Sequence, residues 1–216
     1  MKGHWRAGCA GCLILILLCS LALGDCTLRF SQSMQREPEL PIQQLLHREL
    51  EAFPSGWTLG KSDIITDTDF TWAHWVVFVN FNYKDGLRIA EGLKFAGEEI
   101  HVFNNSFAAR LISYPSPSSL SAGKGYIPKG WTYRPPHAER FEFGCSGGDG
   151  LTQPEGCSFI LRYAEYIIVF STPIADYMTL DDLQRVLEVI DQEMTRHLKN
   201  STLRPGPRPV PTALDN

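Results

Sequence analysis

Hydrophobic residues recur with two different periods along the chain, and the switches between them mark out elements. After Pro41, the residues Ile42, Leu45, Leu46, Leu50 and Phe53 repeat at helical spacing, and Gln43, Gln44, Arg48, Glu49 and Glu51 fill the other face until Pro54 stops the pattern. Proline suits the first helical position because the N–H it lacks would go unbonded there anyway. From Trp75 to Tyr83 the period falls to two. Trp75, Val77, Val79, Phe81 and Tyr83 share one side, while on the other Val76 and Phe78 give way to Asn80 and Asn82. Lys84-Asp85-Gly86 supplies hairpin chemistry, and Leu87, Ile89, Glu91, Leu93 and Phe95 alternate on the return. Ala96-Gly97 reads as a further turn into Ile100–Phe103, and Phe107 to Tyr114 as a fourth short strand, which together make an antiparallel meander.

Residues 113–156 are dominated by serine, glycine and proline without either period, unusual for so long a stretch inside a domain. Phe159 to Phe170 is apolar on nearly both faces, as for a central strand covered on both sides. Thr179 opens the last element, with Asp182 three residues on as a partial capping box. Leu183, Val186, Leu187, Ile190, Met194 and Leu198 then form one stripe of a helix of about 20 residues. Residues 25–40 read as a polar tether and 201–216 as a disordered tail, leaving 41–200 as a single domain. The expected class is α+β: an antiparallel sheet of about five strands, two amphipathic helices packed on it, and a long Pro/Gly/Ser-rich loop closed by a disulfide.

The first 24 residues add a compartment. Lys2 and Arg6 precede the apolar block Cys12–Gly24, and Ala22 and Gly24 supply small residues for cleavage before Asp25, the layout of a secretory signal. Ala7 to Gly24 also reaches about 18 residues, the lower limit for an uncleaved membrane anchor. Lipid modification at Cys26 fits less well, because the charged Asp25 stands where a small residue is needed. Without the leader, 18 basic residues face 24 acidic ones, a formal charge of about −6. No clustered run of Lys and Arg exists to displace phosphate counterions, so nucleic acid is not an expected partner.

Of six cysteines, Cys9, Cys12 and Cys19 lie in the leader and Cys26, Cys145 and Cys157 after it. In an oxidising compartment Cys145 and Cys157 pair across a segment rich in glycine, closing a ring worth about 3 kcal/mol in the loop-entropy model. Two free buried thiols are the alternative if the chain stays in the cytosol. Cys26 is then a free end thiol, an intermolecular bridge or a modified residue.

Candidate chemistry is sparse. His47, His74, His101, His137 and His197 show no metal-ligand spacing, and structural or solvated roles are expected for most of them, with His197 favoured near a helix C-terminus by its charge. His137 stands apart because it lies among polar groups in the irregular segment. No nucleophile elbow occurs; Ser146 precedes two glycines, as turn residues in a closed loop commonly do. Ala122-Gly-Lys-Gly125 resembles part of a phosphate loop, but Ser118 stands where the first glycine is required and no Ser or Thr follows Lys124. Asp67 with Asp69, and Glu98 with Glu99 at a turn, are the paired carboxylates that glycoside hydrolysis would need, though acids in a turn are ordinarily solvated. Sequons at Asn104 and Asn200 matter only in a eukaryotic secretory pathway.

The long loop makes the better case. Tyr126, Trp131, Tyr133, Arg134, His137 and Arg140 form a candidate interaction surface, since Tyr, Trp and Arg anchor interfaces and the prolines among them reduce the entropy lost on docking. The competing reading folds these rings onto the sheet as a satellite core. Three functions follow as expectations: a non-catalytic exported domain, soluble or membrane-held, that binds an unidentified protein; a carrier of a small apolar ligand between sheet and helices, suggested by Trp72, Trp75, Phe78 and Phe81; and an extracytoplasmic hydrolase using paired carboxylates. No cofactor or metal is expected.

Overall fold

The chain is described here from a computed structural model, which covers residues 19–20, 24, 28, 32–66, 73–83, 95–111, 125–147 and 154–209. In chain order the elements are β1 (Met34–Glu37), α1 (Ile42–Ala52), β2 (Trp57–Ile65), β3 (Trp75–Tyr83), β4 (Phe95–Val102), α2 (Ser106–Leu111), β5 (Arg140–Ser146), β6 (Gly156–Tyr163), β7 (Tyr166–Pro173), α3 (Leu180–Asn200) and β8 (Thr202–Pro205). Among the described residues, six strands form one antiparallel sheet in the order β2-β3-β4-β7-β6-β5, and β1 pairs with β8 in a second, two-stranded sheet.

The period of two sorts side chains between the faces of the main sheet. Val77, Val79 and Phe81 of β3, Ile100 of β4, Phe170 of β7 and Phe159 of β6 face the helix side, where α1 contributes Leu45 and Leu46 and α3 contributes Leu183, Val186, Leu187 and Ile190. Phe53 stacks on Phe81 at 4.7 Å, and Phe159 on Phe170 at 5.0 Å. The other face carries Val76, Ile160 and Ile167, and Ala108 and Ala109 of the short α2 cover them. At the start of α3, Thr179 accepts from the Asp182 N–H while Asp182 accepts from Thr179 N–H, a complete capping box.

Several expectations are corrected. Ala96 and Gly97 do not turn: they lie inside β4, where Gly97 pairs with Asn80 on one side and Ser171 on the other. The segment after Asn105 begins as α2 rather than a strand, because the Asn105 side chain accepts from Ala108 N–H at 2.8 Å and caps a helical turn. Phe159 to Phe170 is not one central strand but the β6–β7 hairpin, turning at Ala164 with a φ of 51°. The supposedly irregular stretch contains β5, which pairs along its length with β6. β2 supplies a strand that alternation misses, since its register shifts between Leu59 and Ser62 and puts the pattern out of phase. The sheet therefore has six strands rather than about five. Residues expected to be tether and tail supply β1 and β8. The Lys84-Asp85-Gly86 turn, its return through Leu93, and most of the leader lie outside the described residues. Among those described, no helix is long and apolar enough to cross a membrane.

The expected disulfide is present: Cys145 and Cys157 are directly paired positions of β5 and β6, with Cα atoms 4.0 Å apart.

Both ends of the described chain converge on the β6–β7 turn. Glu165, at 0 % exposure, accepts from Arg36 Nε at 2.5 Å and Nη2 at 2.9 Å, and from Arg208 Nη2 at 2.9 Å. Burial alone would raise the Glu165 pKa, but the two guanidiniums outweigh it and hold the carboxyl below its usual range. The Arg208 guanidinium also lies 5.3 Å from the centre of the Tyr166 ring. Glu165→Ala, which strands two buried cations, is expected to lower the urea-unfolding free energy by about 3–5 kcal/mol. Replacing Arg36 and Arg208 by Met in the same variant should recover part of that loss; no recovery would mean that burial of charge is not the cause.

Candidate functional site

The functional candidates of the long loop belong to an ordered arm, residues 125–139, that wraps around β5 and reaches α3. It starts at Gly125, whose φ of 153° and close approach to the backbone of Cys145 leave no room for a side chain. Tyr126 and Cys145 then exchange backbone hydrogen bonds at 3.1 and 2.9 Å, so the arm begins as a short continuation of the sheet beside the disulfide. Trp131 stacks on Phe143 of β5 at 4.3 Å and donates its Nε1–H to Tyr133 O at 3.0 Å. Burial, with Asp191 and Glu188 nearby, pushes the Tyr133 hydroxyl up to about 12.

The far end is held by a buried carboxylate. Asp191 of α3, with its side chain 4 % exposed, accepts from His137 Nδ1 at 2.7 Å, from His137 backbone N–H at 3.3 Å and from the Tyr163 hydroxyl at 2.8 Å. The His137 side chain is 57 % exposed. Burial and Asp191 together keep Tyr163 protonated well above the ordinary tyrosine range. An imidazole oriented through Nδ1 by a carboxylate is the base half of a nucleophilic triad, but among the described residues no Ser, Thr or Cys side chain bonds to Nε2. What the pair does is fix the arm.

The predicted surface residues separate accordingly. Tyr126, Trp131 and Tyr133 are half-buried and turn inward, packed against the core. Arg140 is half-buried and occupied, donating from Nε to Glu142 at 2.7 Å. Arg134 and His137 are exposed, and Ile127 and Lys129, which the sequence does not single out, are exposed beside them. Ser146 is exposed at the end of β5. Lys124, Asp67, Asp69 and Trp72 lie outside the described residues.

The other described histidines are either solvated or bonded within the fold. His47 is exposed on α1, His74 bonds from Nε2 to Arg208 O at 2.8 Å, and His101, fully buried, bonds to Glu99 at 2.9 Å. His197 corrects its expectation: burial first, and then Arg36 and Arg208, lower its pKa to about 4, so it packs as a neutral ring beside Tyr166 rather than as a cation at a helix end.

The acids at 98 and 99 also differ from a solvated turn. Glu98 points to the helix side, where its carboxyl meets that of Glu49, a residue whose place in α1 looks polar but is fully buried. No donor among the described residues reaches any of the four oxygens. Two such groups cannot both ionise, so they share a proton. Burial raises Glu98 to about 7 and, with Glu98 and Glu193 adding to it, raises Glu49 further above the usual range. Both lie enclosed between helix and sheet. Among the described residues, no group of three or more His, Cys, Asp or Glu side chains is placed to hold a metal ion.

Compared with known proteins, the chain matches no family model, no curated protein and no solved structure.

The acid pair sets a pH dependence with a definite sign. A folded state that holds its proton up to about pH 7 binds more protons than the unfolded chain, so stability falls as pH rises from the ordinary carboxylate range through 7. Glu165 acts oppositely, its contribution disappearing as pH falls below that range. Glu49→Gln keeps the shape and gives Glu98 an amide donor. It should raise stability at pH 8 by on the order of 1–3 kcal/mol and flatten the decline between pH 5 and 8 in urea denaturation; a profile identical to the parent would rule out the shared proton.

Proposed function

We propose that the chain is a non-catalytic, exported binding domain that meets a protein partner bearing an acidic surface, through the outer edge of the 125–139 arm. The observation that carries this reading is the arm's fixed conformation. It is tied by the Tyr126–Cys145 bridge, the Trp131–Phe143 stack and the His137–Asp191 pair, and it still presents Ile127 at 55 % exposure with Lys129 and Arg134 in solvent. An irregular segment held in this way loses little entropy on docking. Neither Lys129 nor Arg134 has an ion pair among the described residues, in a chain of net charge −4, so the edge offers cations on a molecule with an excess of acids.

Export is supported by the Cys145–Cys157 disulfide, which is consistent with an oxidising setting, and by the leader. Neither alternative gains comparable support. An apolar carrier would need unfilled space between sheet and helices, where Leu46, Phe81, Ile100, Phe170, Leu183 and Ile190 all have 0 % exposure. A hydrolase would need both carboxyls of a pair to face one cleft, whereas Glu98 is enclosed on the helix side and Glu99 lies on the opposite face of β4; Asp67 and Asp69 lie outside the described residues.

A photo-crosslinking residue in place of the exposed Thr132 should capture a specific partner in the producing cells. The purified partner should then bind the Lys129→Glu/Arg134→Glu variant at least tenfold more weakly, mostly through a slower, salt-sensitive association rate, at unchanged thermal midpoint. A captured partner that binds both forms equally would refute the assignment of this edge.

A further inference from the structure

Among the described residues, the sheet face turned away from α1 and α3 is covered by α2 only at the end that carries Val76, Ile160 and Ile167. Further along, one row crosses five strands in register: Asn80 of β3, Gly97 of β4, Ser171 of β7, Ser158 of β6 and Gly144 of β5. Over this row lies a half-open groove of about 700 Å³, with Phe78 and Phe95 at one side and Glu99 and Val169 among its deepest residues. Gly97 is not there for want of space. A Cβ on it would meet Ser171 Oγ at 3.6 Å and the Phe95 ring at 3.9 Å, and one on Gly156 would meet nothing closer than 3.5 Å, all ordinary contacts. Glycine inside a strand weakens the sheet, and where neither a turn nor crowding calls for it, it marks a place where something approaches the backbone closely.

The lining restricts what that is. Among the described residues no Lys, Arg or His borders the groove, which disfavours phosphate or carboxylate ligands. Ser146, Ser171 and Asn80 need hydrogen-bond partners when water leaves, which disfavours a purely apolar one. Glu99 already accepts from His101 Nε2 at 2.9 Å, so its carboxyl does not depend on a bound cation. What remains on offer is a set of hydroxyl and amide groups, with the exposed Glu155 carboxylate at the rim as a further acceptor for hydroxyls, beside two flat phenyl rings. We propose that this groove binds a neutral, polyhydroxylated ligand, a saccharide of about two or three units, a size suited to a site of this volume.

Titration of the full chain with cellobiose and with maltotriose, followed by amide chemical shifts, should give saturable changes at Asn80, Gly97, Ser158 and Ser171 with at least one of the two. Gly97→Leu, which fills the floor, should weaken that binding at least tenfold. Ser171→Val, at an exposed position that the fold does not depend on, should weaken it about five- to tenfold. Spermidine and inorganic phosphate serve as cationic and anionic probes. Saturable binding of either in the groove without saccharide binding, no saccharide binding at all, or saccharide binding unaffected by Ser171→Val would each overturn the proposal.

Discussion

A carboxylate at the tip of a buried hairpin imposes the main constraint on this fold. Glu165 has no access to solvent, and an unpaired charge there would cost several kcal/mol. The guanidiniums that satisfy it come from Arg36 and Arg208, on opposite sides of the domain in sequence. Their convergence brings β1 and β8 together and sets Arg208 against Tyr166. Burial keeps His197 neutral, and the same two cations add to that effect. Segments that look unstructured by composition are thus held by charge satisfaction rather than by an apolar pattern.

Core-facing acids in this molecule are handled in three ways, with different consequences. Glu165 receives two guanidiniums and stays ionised. Asp191 receives three neutral or histidine donors and spends them on tethering the arm to α3. Glu49 and Glu98 have only each other. The first two arrangements give rigidity, because a satisfied polar group in a low-dielectric interior tolerates little displacement. The third is a weak point whose cost rises with pH.

How much of this is legible in the sequence depends on whether one signal is read or several. α3 is legible because its stripe and its Thr179 capping box agree, and Cys145–Cys157 is legible because the residues between them suit a closed loop. The β6–β7 hairpin is not: both strands lie inside the sheet and are apolar on both faces over most of the run from Phe159 to Phe170, and Ala164 turns without a glycine. β2 is hidden by its bulge, and β8 by prolines that resemble those of a disordered tail. The buried acids had a signal. Glu49 stands four residues after Leu45 and four before Phe53, on the apolar stripe, and Glu98 alternates with Ala96 and Ile100 on the core side. Residue type suggests solvent at those positions, while geometry places them inside. For the arm, sequence identifies the segment but not which side chains turn outward, because that depends on Phe143 and Asp191, which belong to distant elements.

The disulfide joins the two surfaces for which a binding role is proposed. Cys145 exchanges backbone bonds with Tyr126 and so anchors the start of the arm, while Cys157 and its neighbours Gly156 and Ser158 border the groove on the opposite face. One crosslink between the outer strand β5 and its neighbour β6 therefore braces both at once. Among the described residues β5 has, apart from the Tyr126 bridge, backbone pairing on one side only, and such an edge strand would otherwise be the first part of a sheet to fray. The dependence on an oxidising compartment thus concerns more than stability: in a reducing one the helix-covered core would keep its packing, and β5, with the arm and the groove wall attached to it, would be the part released.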